Sequence, residues 1–205
     1  MKYLITILIL IIPFNVDAQS HTAGKSIFLS GGIGIAQHSS SEDLYSKYLP
    51  SVLFQIGFGV PVYSNIFIYN RISFSSKSNF KAYSQIGPTN RLVEVTSSFS
   101  QLIYNGGIRY GIFISEDFIL SISAGITYSL VNNKSFLKGE LYQTLDNQNL
   151  YGYFGGIALE HKFPDSKISV FGEALYNYFD NNNISYRNKL SGTNLSAGIC
   201  YYFQK

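Results

Sequence analysis

The side chains that could do chemistry are few. Histidine occurs three times, at His21, His38 and His161, and cysteine once, at Cys200. Metal sites need several His, Cys, Asp or Glu at short fixed spacings. No such cluster occurs, so no metal and no cofactor is expected. A disulfide needs a second cysteine, which excludes a cross-linked scaffold. His38 precedes Ser39, Ser40 and Ser41, with Glu42 and Asp43 just beyond. A histidine beside a serine could serve as base and nucleophile, with a carboxylate to orient the imidazole. Serine is common in this chain, so the adjacency reads more simply as a polar loop. Gly31-Gly32-Ile33-Gly34 is glycine-rich, but a phosphate loop must open a helix, and this run sits in a strand pattern. An enzyme is not the expected reading.

The charges are also sparse. Fifteen basic and 12 acidic residues leave a net charge of +3, too small and too scattered for nucleic acid. Charged residues are 13% of the chain, about half the usual share of a soluble domain. Aromatics reach 16%, all Tyr and Phe. That much apolar surface excludes disorder, and 205 residues suit one domain.

The N-terminus reads as an export signal. Met1-Lys2 is a short positive start, residues 3–12 are wholly apolar or aromatic apart from one threonine, and Val16-Asp17-Ala18 offers small residues for cleavage. Residues 1–18 are expected to be removed and 19–205 to form one domain. The apolar stretch is too short to span a bilayer as a helix.

Past that point the pattern has a period of two. Ile27, Leu29, Ile33 and Ile35 alternate with small or polar residues, as do Val52, Phe54, Ile56, Phe58 and Val60. The same alternation marks 66–76, 92–114, 118–131, 150–163, 168–180 and 190–203. Eight strands follow. Short connections (61–65, 115–117, 164–167) alternate with longer ones (38–50, 77–91, 132–149, 181–189). A transmembrane barrel has this asymmetry, with short periplasmic turns and longer external loops. The expected fold is therefore all-β, an eight-stranded antiparallel up-and-down transmembrane β-barrel.

The two faces differ in kind. One carries mostly Ile, Leu, Val, Phe and Tyr; the other is read as Gly, Ser, Asn, Gln and a few charges. An eight-stranded barrel is only just wide enough inside for side chains. The polar face is expected inside and the apolar face against lipid. The inward charges are then Arg71, Arg109, Glu160, Lys162 and Glu173. Arg71, Arg109 and Glu173 lie about five residues from their turns, at about 3.3 Å per residue, and should share a layer, with Glu160 slightly below. Charges in so narrow a lumen must be paired or hydrated. A paired network of Arg71, Arg109, Glu160 and Glu173 is expected, with a selectivity gate in a narrow pore as the other reading.

These features resemble the small outer-membrane β-barrels, the group of the OmpX-like proteins, the OmpA transmembrane domain and short porin-family barrels of Gram-negative bacteria. The final run Gly198-Ile199-Cys200-Tyr201-Tyr202-Phe203 looks like the aromatic signal read by the barrel-assembly machinery, with Tyr201 and Phe203 as its aromatic positions. Two residues follow Phe203, whereas many members end on the aromatic. The resemblance implies an outer-membrane location, outer-membrane lipid and lipopolysaccharide as surroundings, and the assembly machinery as a partner during insertion. The expected role is non-catalytic, in surface contact or envelope integrity. A narrow channel for ions or small solutes is the alternative; a lipid A-modifying enzyme using His38 is the second. Segment 132–149 reads as an irregular external loop carrying Phe136, Leu137, Leu141, Tyr142 and Leu145. Apolar residues in such a loop suggest contact with a partner.

Overall fold

The alternating pattern closes on itself. In the computed structural model eight antiparallel strands form one closed barrel in sequence order. The structure describes residues 26–38, 50–86, 91–179 and 191–203, with backbone alone for 38, 79–86, 91–92 and 142–148. The strands are β1 (Ile27–His38), β2 (Ser51–Tyr63), β3 (Ile66–Ile86) and β4 (Arg91–Phe113). They continue as β5 (Phe118–Leu137), β6 (Glu140–Lys162), β7 (Ile168–Phe179) and β8 (Gly192–Phe203). The expected signal at 1–18 lies outside the described residues.

Closure is made by β1 and β8, which pair from Ile27↔Phe203 to His38↔Gly192. It satisfies the ladder on both sides of every strand, so the barrel wall has no free edge. One end carries the tight connections Ser64–Asn65, 114–117 and 163–167. There Asp165 takes a left-handed conformation (φ 55°) that aspartate tolerates.

The other end departs from expectation. Segments 77–91 and 132–149 are mostly strand. β3 and β4 stay paired to Ile86↔Arg91, and β5 and β6 to Leu137↔Glu140. The β5–β6 connection is only Lys138-Gly139, with φ of 51° and 89°. Two positive φ values in a two-residue loop are what a type I′ hairpin turn requires, because its twist matches the strands. β3 to β6 are thus 20 to 23 residues long, against 12 or 13 in the other four. A tilted strand crosses a bilayer in about 9–11 residues. The surplus forms a four-stranded sheet, continuous through Thr96↔Phe136, that projects beyond the barrel rim.

The outer face is apolar in all eight strands: Ile33, Ile56, Ile72, Ile108, Ile126 and Ile199 are each more than half exposed. The inner face needs a correction. It is not a uniformly polar filling. Phe28, Phe67, Tyr69, Phe154, Phe171 and Tyr202 are buried in it as one cluster with Ile119, Leu175 and Cys200. Small neighbours make the room. A Cβ on Gly59 would lie 2.1 Å from the Phe28 ring, so that ring occupies the space a side chain would have taken. Farther from the tight turns a second cluster contains Phe99, Ile103, Val131, Leu150 and Phe179.

Candidate functional site

Two regions stand apart from plain wall: the charged lumen and the projecting sheet. In the lumen, Arg71 on β3 points inward because its neighbours Ile72 and Asn70 take the outer face. Its Nη1 donates to Glu173 Oε2 across the barrel at 2.8 Å and to Gln55 Oε1 at 3.1 Å. Its Nη2 donates to Asn105 Oδ1 at 3.2 Å. Glu173 also accepts from Gln55 Nε2 at 3.3 Å and from the Tyr69 hydroxyl at 3.4 Å. Asn105 passes the chain on to Asn177 at 2.7 Å. The pair is fully inside, Arg71 being 1% and Glu173 7% exposed.

Arg109 and Glu160 form a separate pair nearer the tight turns, at 3.3 Å. Glu160 is held by the hydroxyls of Ser169 and Tyr202. The Arg109 guanidinium sits 5.2 Å from the Phe28 ring centre and 5.8 Å from that of Tyr69, a cation–π setting. So the four inward residues occupy two levels, and Arg109 shares no ion pair with Glu173. Lys162 also faces in, with its Nζ 5.4 Å from the Tyr202 ring centre. A cavity of about 20 Å³, room for roughly one water, lies beside Arg109, Glu160, Phe67 and Phe113. Alternation identified the inward charges. It also placed Gln55, Tyr69, Asn105 and Asn177 on the inner face, but not in the network, because parity gives a side and no partner.

In the projecting sheet, Phe136 pairs with Leu141 and Leu137 with Glu140. Leu141 is exposed, while Phe136 and Leu137 are partly covered. For Tyr142 and Leu145 the backbone is placed in β6, and their side chains lie outside the description. Among the described residues the sheet is paired on one side only along both flanks: β3 meets β2 no farther than Ser76, and β6 meets β7 no farther than Gly152.

The remaining candidates are dispersed. His161 lies on the outer face between the rings of Phe118 and Phe163, at 4.7 and 5.3 Å. The side chain of His38 and all of Ser39–Ser41 lie outside the described residues. Tyr201 and Phe203 face outward on β8, their rings 5.0 Å apart. Among the described residues no group of three metal-ligating side chains comes together.

No family model matches the chain, and no curated protein matches it in sequence. Solved structures do resemble it. The attachment invasion locus protein Ail of Yersinia pestis is 12% identical with a TM-score of 0.56, over 87% of this chain and 99% of that one. Neisserial surface protein A is 14% identical with a TM-score of 0.55, over 86% and 97%. A major outer membrane protein from Thermus thermophilus is 9% identical with a TM-score of 0.59, over 87% and 98%. At these identities the likeness is one of fold. The chain has the fold of the small eight-stranded outer-membrane β-barrels.

Proposed function

We propose that this chain is a non-catalytic barrel of a Gram-negative outer membrane, exported by its N-terminal signal, with a filled lumen and a contact surface on its projecting sheet. The observation that carries the reading is the disparity in strand length. Four strands run about ten residues farther than a bilayer crossing requires. A barrel needs no such extension to be stable, and among the described residues the outer backbone groups of its two flanks meet no further strand, a surface on which an extended partner segment can pair. The apolar outer band suits lipid, and lipopolysaccharide would surround its outer half. Tyr201 and Phe203 would serve insertion by the assembly machinery. In the lumen, the two ion pairs and the aromatic cluster favour a plug over a pore.

The test is to excise 132–147 and join Val131 to Gln148 through an Asn-Gly turn. Folding is read by heat-modifiable mobility, and surface contact by adhesion of intact cells carrying the barrel. A folded barrel with lost adhesion supports the contact role. Unchanged adhesion removes it. Discrete conductance of the intact protein in planar bilayers would favour the narrow channel instead, and altered lipid A in cells carrying the protein would favour an enzyme.

A further inference from the structure

The outer band contains one residue that does not belong in hydrocarbon. Asn70 is the middle of five outward positions on β3, between Ile68 and Ile72, with Ile66 and Phe74 beyond them. Among the described residues, every other outward side chain at that depth is apolar, aromatic or absent. Its neighbours across the ladder are Phe58 on β2 and Gly106 on β4. Gly106 has a purpose here. A Cβ on it would stand 3.2 Å from the Tyr104 ring, so the glycine lets that ring lie across the wall. The Tyr104 hydroxyl thereby donates to Asn70 Oδ1.

That contact satisfies the carbonyl and leaves the amide nitrogen. Among the described residues, no acceptor takes a hydrogen bond from Asn70 Nδ2. Acyl chains offer none, and ester carbonyls lie at the edges of the band. A donor stranded in hydrocarbon is costly.

We propose that the β3–β4 wall is the seam of a homodimer in which the Asn70 amides of two copies pair reciprocally. This rests on the membrane-barrel reading above. Two copies inserted by the same route share one orientation and one depth. A two-fold axis along the membrane normal then brings each Asn70 opposite the other. A primary amide is its own complement, each nitrogen donating to the second lone pair of the other carbonyl. No other described outward residue in the band can do this. The Tyr104 ring, lying over Gly106, borders the pair and holds the first lone pair of each carbonyl.

The experiment uses the full chain in bilayers. In a Cys200→Ser background, Asn70→Cys is expected to give a disulfide-linked dimer, whereas Ile157→Cys on the β6 wall gives none. Asn70→Leu is expected to weaken dimerisation in lipid nanodiscs roughly tenfold, as loss of two hydrogen bonds of the strength found within bilayers. The variant barrel should keep its folded mobility. A folded wild-type monomer in bilayers, cross-linking at Ile157→Cys alone, or an unweakened Asn70→Leu dimer would each overturn the proposal. Failure of the membrane reading looks different: the wild-type chain would then fold in buffer without lipid or detergent.

Discussion

Arg71 and Glu173 are separated by 102 residues of chain and meet at 2.8 Å in the middle of the lumen. The contact joins β3 to β7, strands that never pair with one another in the wall. It therefore ties opposite sides of the barrel directly, in a medium where neither charge can find bulk water.

Removing one partner of such a pair strands the other, at a typical cost of about 3–5 kcal/mol. Arg71→Gln and Glu173→Gln should each lower stability by that order. The double variant should lose clearly less than the sum. Arg109→Gln with Glu173→Gln should be much closer to additive, since Arg109 is paired to Glu160. Urea titration in detergent or lipid vesicles reads all of these. Additivity for Arg71 and Glu173 would show that their contact is not coupled.

Part of this was legible beforehand. Alternation located all eight strands and the inward parity of Arg71, Arg109, Glu160 and Glu173. It did not reveal who pairs with whom. Partners across a lumen depend on the stagger accumulated around the whole barrel, which short-range pattern does not encode. The outer halves of β3 to β6 were hidden for a local reason. Register shifts between Lys77 and Phe80, between Val131 and Asn133, and between Ser135 and Phe136 break the phase of alternation. A strand that changes phase reads as irregular. The Lys138-Gly139 turn lacks the Asn-Gly signature that would have announced it. The aromatic cluster is not legible from average barrel width, because Gly59 and its neighbours open the interior locally.

The assignment of faces is tested at Ile122, which is outward and 41% exposed. Arginine at the midplane of a barrel's lipid face costs about 2–4 kcal/mol. Ile122→Arg should lower stability in lipid by that order. An unchanged midpoint would reverse the faces.

Gly59 and Phe28 should behave as one unit. Gly59→Ala forces the Phe28 ring out of its place, and overpacking of this kind costs about 1–3 kcal/mol. Phe28→Leu added to Gly59→Ala should recover part of the loss, although Phe28→Leu alone destabilises. Absence of recovery would mean that the ring relaxes without cost.

At the tip of the projecting sheet, Gly139 has φ 89°. A side chain there is strained by about 1–2 kcal/mol. Gly139→Val should fray the hairpin, with faster amide hydrogen exchange at Leu137 and Glu140. Exchange within 118–130 should stay the same. Equal acceleration in both would mean that the sheet and the barrel open together.

The seam between β1 and β8 carries one more consequence, and it concerns time. Ile27 and Phe203 stand almost at opposite limits of the described chain, yet they pair. No intermediate lacking β8 can close, however many strands have formed. Contacts so distant in sequence make for slow folding. Until the last strand arrives, the first one presents unpaired backbone groups that a bilayer cannot solvate. Ribosomal order therefore cannot produce a stable partial barrel. For a barrel that spans a bilayer, completion and insertion must then coincide, and deletion of β8 alone should forfeit the entire assembly rather than one-eighth of it.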